Sequence, residues 1–482
     1  MPSRKRRTST RFRVGRVSVY LHHAGWWVYY RDNGRQVRRK VADSRLEAEQ
    51  VAAQVNAQLA SGAPTLLAFS PVGVCELRKQ FLAYHEHVLR SSVATIRRYQ
   101  AATRHLENFA LRQSKPMMAH QIKPDSFAAY VRNVEVGPNG HPHTARRKLR
   151  DKGVQFILET CRAMYSFAAK RRHLPPYASN PFAELPLDRL KIEDAKPIFV
   201  FDADTEAAFL NAADGWAFPI HFTLAKTGLR VGELTHLLIE DLDLVGGWLH
   251  VRNKPALGWQ IKTRNQRSVP LLPEMVAVLR HAVGTRTAGP VFLRPRFGPG
   301  SRPLAGDRVM LAHVCREREL AAGGTLSRAE ALRVARTIWR DAGAIKADAV
   351  RNSFIRIART IGHPQATCPK SWRHSVATLL QDANVDPLVR QITLGHKPTG
   401  NGLGITANYT HTRPETQRQQ ILAALRRWPK SLELGRAFVQ GSARSSRAEV
   451  KRIAKYPPKS ASAITVPLSR ARGTILNDLG GG

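Results

Sequence analysis

Five short stretches of this 482-residue chain carry side chains suited to a single kind of chemistry. Thr227-Gly228-Leu229-Arg230-Val231-Gly232-Glu233-Leu234 puts Arg230 at a glycine-marked helix start, and Ile261-Lys262-Thr263 puts Lys262 near a strand end. Lys370-Ser371-Trp372-Arg373-His374 opens a helix with two cations three residues apart. Leu394-Gly395-His396-Lys397 follows the next helix, and Ala407-Asn408-Tyr409-Thr410-His411 comes after a glycine-rich loop. Two arginines can fork onto the non-bridging oxygens of a phosphodiester and stabilise the charge of its transition state. A lysine can protonate a departing 5′ oxygen, which answers a poor leaving group without a metal. A tyrosine can attack the phosphorus and hold the bond as a phosphotyrosine ester. Taken singly, each of these residues is more often structural or on the surface than catalytic. Their order and local contexts make the combination specific.

Other chemistries find little support. No GxxxxGK[ST] phosphate loop occurs, and Gly400-Asn401-Gly402-Leu403-Gly404 lacks the strand that a dinucleotide loop needs before it. His22-His23 and His141-Pro142-His143 have no carboxylate or cysteine at metal-ligand spacing. Acidic clusters are scarce, which weighs against a two-metal nuclease. Cys75, Cys161, Cys315 and Cys368 lie far apart, fitting a reducing cytosol rather than a disulfide framework. No apolar run approaches the ~18 residues of a membrane span, and the basic N-terminus has no apolar stretch behind it to serve as a secretory signal.

Charge points to the partner. Lys and Arg number 76 against 36 Asp and Glu, a formal net charge of +40, spread through every segment. Self-repulsion on that scale is relieved by a polyanion, so nucleic-acid binding is the leading reading. A highly soluble surface alone is the plain alternative.

The elements that must position these residues fall into four parts. Residues 1–62 comprise a basic arm to about 15, then three short strands with a turn at Asn33-Gly34, then a helix that opens on the capping box Ser44-Arg45-Leu46-Glu47. Residues 1–60 hold 13 basic and 4 acidic side chains, a unit that could dock on phosphates. Trp26, Trp27, Tyr29 and Tyr30 there are expected to form a small core rather than a base-stacking platform. Residues 72–183 predict helices near Val74–Leu89, Ser92–Leu111, Pro124–Val134 and His143–Lys170, the last with Arg146, Arg147, Lys148, Arg150 and Lys152 at its start. After a Pro-rich break and a linker over 184–197, residues 197–428 combine helices with an antiparallel element. In that element Trp248–Val251 and Ile261–Thr263 flank a turn before Arg267–Leu271. Residues 429–482, with 10 basic and 3 acidic side chains and weak periodicity, are expected to be disordered, or to order only on a partner. The fold class is thus mainly α with small β elements.

Between about 72 and 428 the sequence resembles the tyrosine recombinase (phage integrase) family, on TGLRVGEL, IKT…RSVPL, SWRHSVATLL, LGH and YTH in that order. Residues 16–60 also look like the small arm-binding module of some integrases. The resemblance implies a helical core-binding domain over 72–183 and a mixed α/β catalytic domain over 197–428, gripping a DNA duplex as a clamp. It implies that Arg230 and Arg373 bind the phosphate, that Lys262 is the general acid and that Tyr409 is the nucleophile. His396 would hydrogen-bond the phosphate, and Glu233 would buttress an arginine. The reaction implied is site-specific DNA recombination through a 3′-phosphotyrosine and a Holliday junction, with no metal or nucleotide cofactor. The implied assembly is a homo-tetramer on double-stranded DNA in a bacterial cytoplasm, at the nucleoid, with DNA-bending accessory proteins as possible partners. Integration or excision of a phage or other mobile element is the implied biology. A type IB topoisomerase-like enzyme or a catalytically silent DNA-binding protein are the rivals.

Two departures from the family pattern stand out. Lys370 occupies the first position of an HxxR motif, where the family usually has His. It can still donate to a phosphate oxygen, but a free Lys titrates near 10.4 against about 6.5 for His, so at neutral pH it is protonated and a poorer base. His396 and Tyr409 are 13 positions apart, with an apparent insertion at 397–402 and a short helix expected over Leu403–Tyr409. The stretch 295–365 is also longer than the catalytic fold needs. Its Arg-rich helix near 326–340 is open to two readings, a DNA contact or a packed, solvated helix.

Overall fold

The alternating Val, Tyr and Trp residues of the N-terminal segment build an antiparallel sheet. Strands β1 (Arg11–Val14), β2 (Val17–His22), β3 (Gly25–Asp32) and β4 (Arg35–Ala42) lie in chain order. The three expected strands are present, and a fourth precedes them because residues 11–14 of the arm pair with 17–20. Period-2 geometry sends Trp26, Val28 and Tyr30 to one face. There they pack with Val17 and Val19 on Ala48, Ala52 and Val55 of α1 (Arg45–Ala60), whose N-cap Ser44 accepts from the Glu47 amide. Trp27 and Tyr29 are only half-buried, and the Arg38 guanidinium sits 5.7 Å from the Trp27 ring and 5.3 Å from Tyr20. The expected aromatic core therefore holds for Trp26 and Tyr30 and fails for their neighbours.

The computed structural model describes residues 10–441 except 33, 64, 68–69, 113–115, 138–144, 176–178, 195–196, 298–302, 305 and 397–411. They divide into two units, one up to Pro197 and one from Ile198. In the first, α2 (Val74–Ala83), α3 (Val93–Leu111), α4 (Pro124–Asn133) and α5 (Asp151–Lys170) enclose Leu77, Phe81, Leu106, Phe127, Val131 and Tyr165. The stripe Ile157, Cys161, Met164, Tyr165 and Ala168 faces inward as its spacing requires. The start of α5 is a correction. Arg147 and Lys148 are not helical but form β6, paired with β5 (Glu135–Val136), so the helix begins at Asp151.

The second unit is built around α7 (Ala217–Thr227), every residue of which is buried. Around it stand α6 (Ala203–Asn211), α9 (Pro273–Val283), α12 (Ala347–Thr360), α13 (Lys370–Asp382) and α15 (Pro414–Leu425), with the short α8 (Val231–Leu234) and α14 (Pro387–Leu394) alongside. Trp372 on α13 stacks on Phe201 at 4.0 Å and 12°. The small sheet is β7 (Leu242–Asp243), β8 (Trp248–Val251) and β9 (Arg267–Pro270). The strand expected at 261–263 is absent: these residues belong to a long connection between β8 and β9. A second core, holding Leu311, Cys315, Ala335, Ile338 and Trp339, joins α10 (Arg308–Ala321) and α11 (Arg328–Asp341).

The expectation of disorder from 429 fails for the first part of that segment. Residues 429–441 form a helix, α16, that packs in the main core. Phe438 stacks on Phe218 at 4.4 Å, and Ser431 meets the buried Lys226 ammonium at 2.6 Å. Leu432, Leu434, Phe438 and Val439 make a short apolar face whose signal is diluted in the polar composition of the whole tail. No helix among the described residues is long and apolar enough to cross a membrane.

Candidate active site

The site is assembled where four segment ends meet. Gly228 closes α7 in the left-handed conformation, and Arg230 is the extended residue that starts α8. Glu233 on α8 folds back as a capping-box acid, its Oε2 accepting from the Arg230 amide at 2.9 Å and its Oε1 from Arg230 Nη1 at 2.7 Å. The same carboxylate takes both ends of Arg267, the first residue of β9, at 2.7 and 3.2 Å. Burial alone would raise the Glu233 carboxyl. The hydrogen bonds and charges of Arg267 and Arg230 overcome it and hold the group below the usual carboxylate range.

Arg373 lies one turn into α13 and is almost fully buried. Its Nη1 donates to the Gly228 carbonyl at 2.9 Å, and its Nη2 donates to the Leu394 carbonyl and lies 2.9 Å from His396 Nε2. Burial, then the charges of Arg230 and Arg267, push the Arg373 guanidinium down to about 10 against the opposing pull of Glu233, so it stays cationic at neutral pH. Burial, then Arg373, Arg230 and Arg267, also lower His396. A neutral imidazole whose Nε2 accepts from Arg373 must carry its proton on Nδ1. Gly395, just before it, has φ +68°, and a Cβ there would stand 2.8 Å from Arg267 Nη1. The glycine of the LGH stretch thus serves both the backbone turn and the arginine behind it.

Of the residues singled out from sequence, Arg230, Arg373 and His396 converge directly around Glu233 and Arg267. Lys370 is exposed at the first position of α13, one helical turn ahead of Arg373 and on the same side. Lys262 is exposed in the turn between β8 and β9, and the hydroxyl of the adjacent Thr263 reaches the Gly395 carbonyl at 3.4 Å. Tyr409, the 397–402 insertion and the expected helix over Leu403–Tyr409 all lie outside the described residues. Thr412 leads into α15, where Gln417 donates to the Ser268 carbonyl and to Thr393 Oγ1, each at 3.0 Å.

The cluster of two arginines, a neutral histidine and a paired carboxylate falls within a stretch, residues 220–416, that matches the family model described as phage integrase family. The match runs from α7 to the start of α15. Over 193 residues the chain is 28% identical to the tyrosine recombinase XerC of Pelobacter propionicus, a match covering 39% of this chain and 45% of that protein. The chain thus spans less than half the length of this curated relative. Among solved structures, a Tn1549 transposon integrase in complex with circular intermediate DNA matches with 17% identity and a TM-score of 0.46, over 72% of this chain and 98% of that one. A lambda integrase dimer bound to a core site matches with 15% identity and a TM-score of 0.45, over 84% and 96% of the two chains.

Within the matched stretch, sequence reasoning missed Arg267. It stood inside the quoted Arg267-Ser268-Val269-Pro270-Leu271 stretch without a role. Its position as the first, inward-facing residue of a strand was the available signal, because a buried cation demands a partner. Glu233, 34 residues earlier, is that partner.

Proposed function

We propose that the chain is a site-specific DNA recombinase that cuts and rejoins strands through a 3′-phosphotyrosine. The observation that carries this reading is the convergence of Arg230, Arg373 and His396, with the buried Glu233 carboxylate taken up by Arg230 and Arg267. Arg230, a quarter exposed, and Arg373 bind the non-bridging oxygens of the scissile phosphodiester, and His396 donates from Nδ1 to the same group. Lys370 adds a donor from the start of α13. Tyr409 attacks the phosphorus. As the Tyr409 oxygen–phosphorus bond forms, the phenol proton passes to water and the bond to the 5′ oxygen breaks. Lys262 gives its proton to that oxygen and is left as the amine, so a free 5′-OH and a 3′-phosphotyrosine result. Rejoining is the reverse with a partner strand's 5′-OH, which needs four protomers on two sites. The arm-like N-terminal sheet, with its thirteen basic side chains in 1–60, favours integration or excision of a mobile element as the biological setting.

The test is denaturant trapping of covalent protein–DNA adducts on the DNA flanking the gene, with wild type and Tyr409→Phe, followed by sequencing of the adduct-linked ends. Adducts at a discrete site that vanish with Tyr409→Phe are expected. Adducts scattered without preference would favour a topoisomerase-like enzyme. Tight binding with no adduct would favour a silent DNA-binding protein.

A further inference from the structure

The proposed chemistry makes no use of α10 and α11, yet this helical pair is not an isolated appendage. Its core also takes in Leu238 and Leu257. Leu257 lies in the connection between β8 and β9 that presents Lys262 five residues later. Helix α11 meets this connection at several points. Trp339, nearly buried, donates its indole N–H to the Leu257 carbonyl at 3.0 Å. Gly258, left-handed at φ +64°, comes so close to α11 that a Cβ there would stand 2.8 Å from the Ala335 Cβ. The Trp339 ring also meets His236 edge-on at 4.7 Å, and His236 stacks on Trp259 of the connection at 5.0 Å and 15°. His236 is in turn tied to the helix of Arg230, its Nδ1 lying 2.7 Å from the Gly232 carbonyl.

The far side of the same connection is fixed from within. Asn253 Oδ1 accepts from the Ile261 amide at 2.9 Å, and its Nδ2 donates to the Arg264 carbonyl at 3.1 Å. Lys254, buried, pairs with the equally buried Asp241 at 2.7 Å. Ile261 is buried while Lys262 next to it is exposed, so the lysine stands on a turn held at its base and free at its tip. Within the connection Lys254 and Trp259 form a single antiparallel bridge, and Asn253 ties the segment around Lys262. The side that carries Leu257, Gly258 and Trp259 packs on α11 and on His236, so α11 adds the contacts that the bridge does not make.

We propose that Trp339 is a positioning residue for the proton donor: through the Leu257 carbonyl and the Trp259–His236 stack, α11 fixes the 252–266 connection and so sets where Lys262 delivers its proton. This rests on the role given to Lys262 above. As the Tyr409 oxygen–phosphorus bond forms and the 5′ bond breaks, a misplaced ammonium leaves the departing 5′ oxygen unprotonated. The loss should therefore fall on the leaving group and not on phosphate binding.

The experiment uses the full chain and nicked duplexes spanning the cleavage site mapped by adduct trapping, with either oxygen or sulfur bridging the scissile phosphorus to the 5′ carbon. A thiolate leaves without help from a proton, so sulfur removes the need for the general acid. Trp339→Phe keeps a ring and loses the N–H. It should slow adduct formation on the oxygen duplex by about tenfold or more, yet stay within about twofold of wild type on the sulfur duplex. Gly258→Ala, which disturbs the same contact from the other side, should repeat the pattern, and duplex binding measured by gel shift should be unchanged in both. Equal slowing on the two duplexes, or no slowing on oxygen, overturns the proposal. Lys262→Ala is the reference. If sulfur does not restore it, Lys262 is not the donor and the proposal falls, while Tyr409-dependent adducts keep the strand-cleavage reading standing. Wild type that forms no adduct on either duplex removes both.

Discussion

Arg373 and Arg230 repel each other, and the protein tolerates this because Glu233 and main-chain carbonyls surround them. Two arginines share one carboxylate, since Arg267 and Arg230 both bond Glu233, while Arg373 is held by the carbonyls of Gly228 and Leu394. The local surplus of positive charge is what a phosphodiester relieves, and it is relieved most when charge builds on the phosphorus oxygens. Arg373→Ala should therefore cut the rate of adduct formation by about 10²–10³ while weakening duplex binding only a few-fold. Single-turnover cleavage measured beside a gel-shift titration checks this, and equal losses in the two would reject the assignment. Arg230, Arg373 and His396 were legible in the sequence because each sits in a distinctive local context. Arg267 was not, because its partner Glu233 is brought to it only by the pairing of β8 with β9 and the packing of α8.

At the scale of elements, the decisive join is the end of α14. The helix stops at Gly395 in the left-handed region, and that stop brings the Leu394 carbonyl and His396 to Arg373 while leaving room for Arg267. Gly395→Ala forces a side chain into that region at a cost of about 1–3 kcal/mol and drives its Cβ into the Arg267 guanidinium. The expected result is a lower thermal midpoint together with lost cleavage, because the Glu233–Arg267 pair and His396 must shift together. An unchanged midpoint and rate would show that the turn is not needed. Helices such as α3 and α4 were readable from apolar spacing and from end signals, Ser92 as N-cap and Pro124 as first residue. What was not readable depended on distant partners. The start of α5 is displaced because 147–148 find 135–136, and α16 forms because Phe438 finds Phe218 on α7. The β8–β9 connection looked like strand because Ile261 is apolar and flanked by polar residues, yet its burial comes from the core and not from a ladder.

Over the whole molecule, a net charge of +40 leaves the fold exposed to any further positive charge, and histidines are where that charge would enter. Several described histidines of the second unit are held below the ordinary imidazole range, His221, His236 and His396 among them. Burial takes His221 down to about 3 and His236 to about 4, and burial with three neighbouring arginines lowers His396. In the unfolded chain each would titrate near its ordinary value of about 6.5. Between about pH 6.5 and 4 the unfolded chain therefore binds more protons than the folded one, so stability rises with pH in that window and is fully present above it. The lowered carboxyls of Glu233, Asp214 and Asp341 act with the same sign at still lower pH. The urea midpoint should stay level above about pH 6.5 and fall steadily below it, each histidine contributing up to about 1.4 kcal/mol per pH unit. An added DNA duplex should raise the midpoint most on the acid side, where the positive surplus is largest. A midpoint that stays level from pH 7 to pH 5 would mean that these histidines take up their protons without leaving the fold.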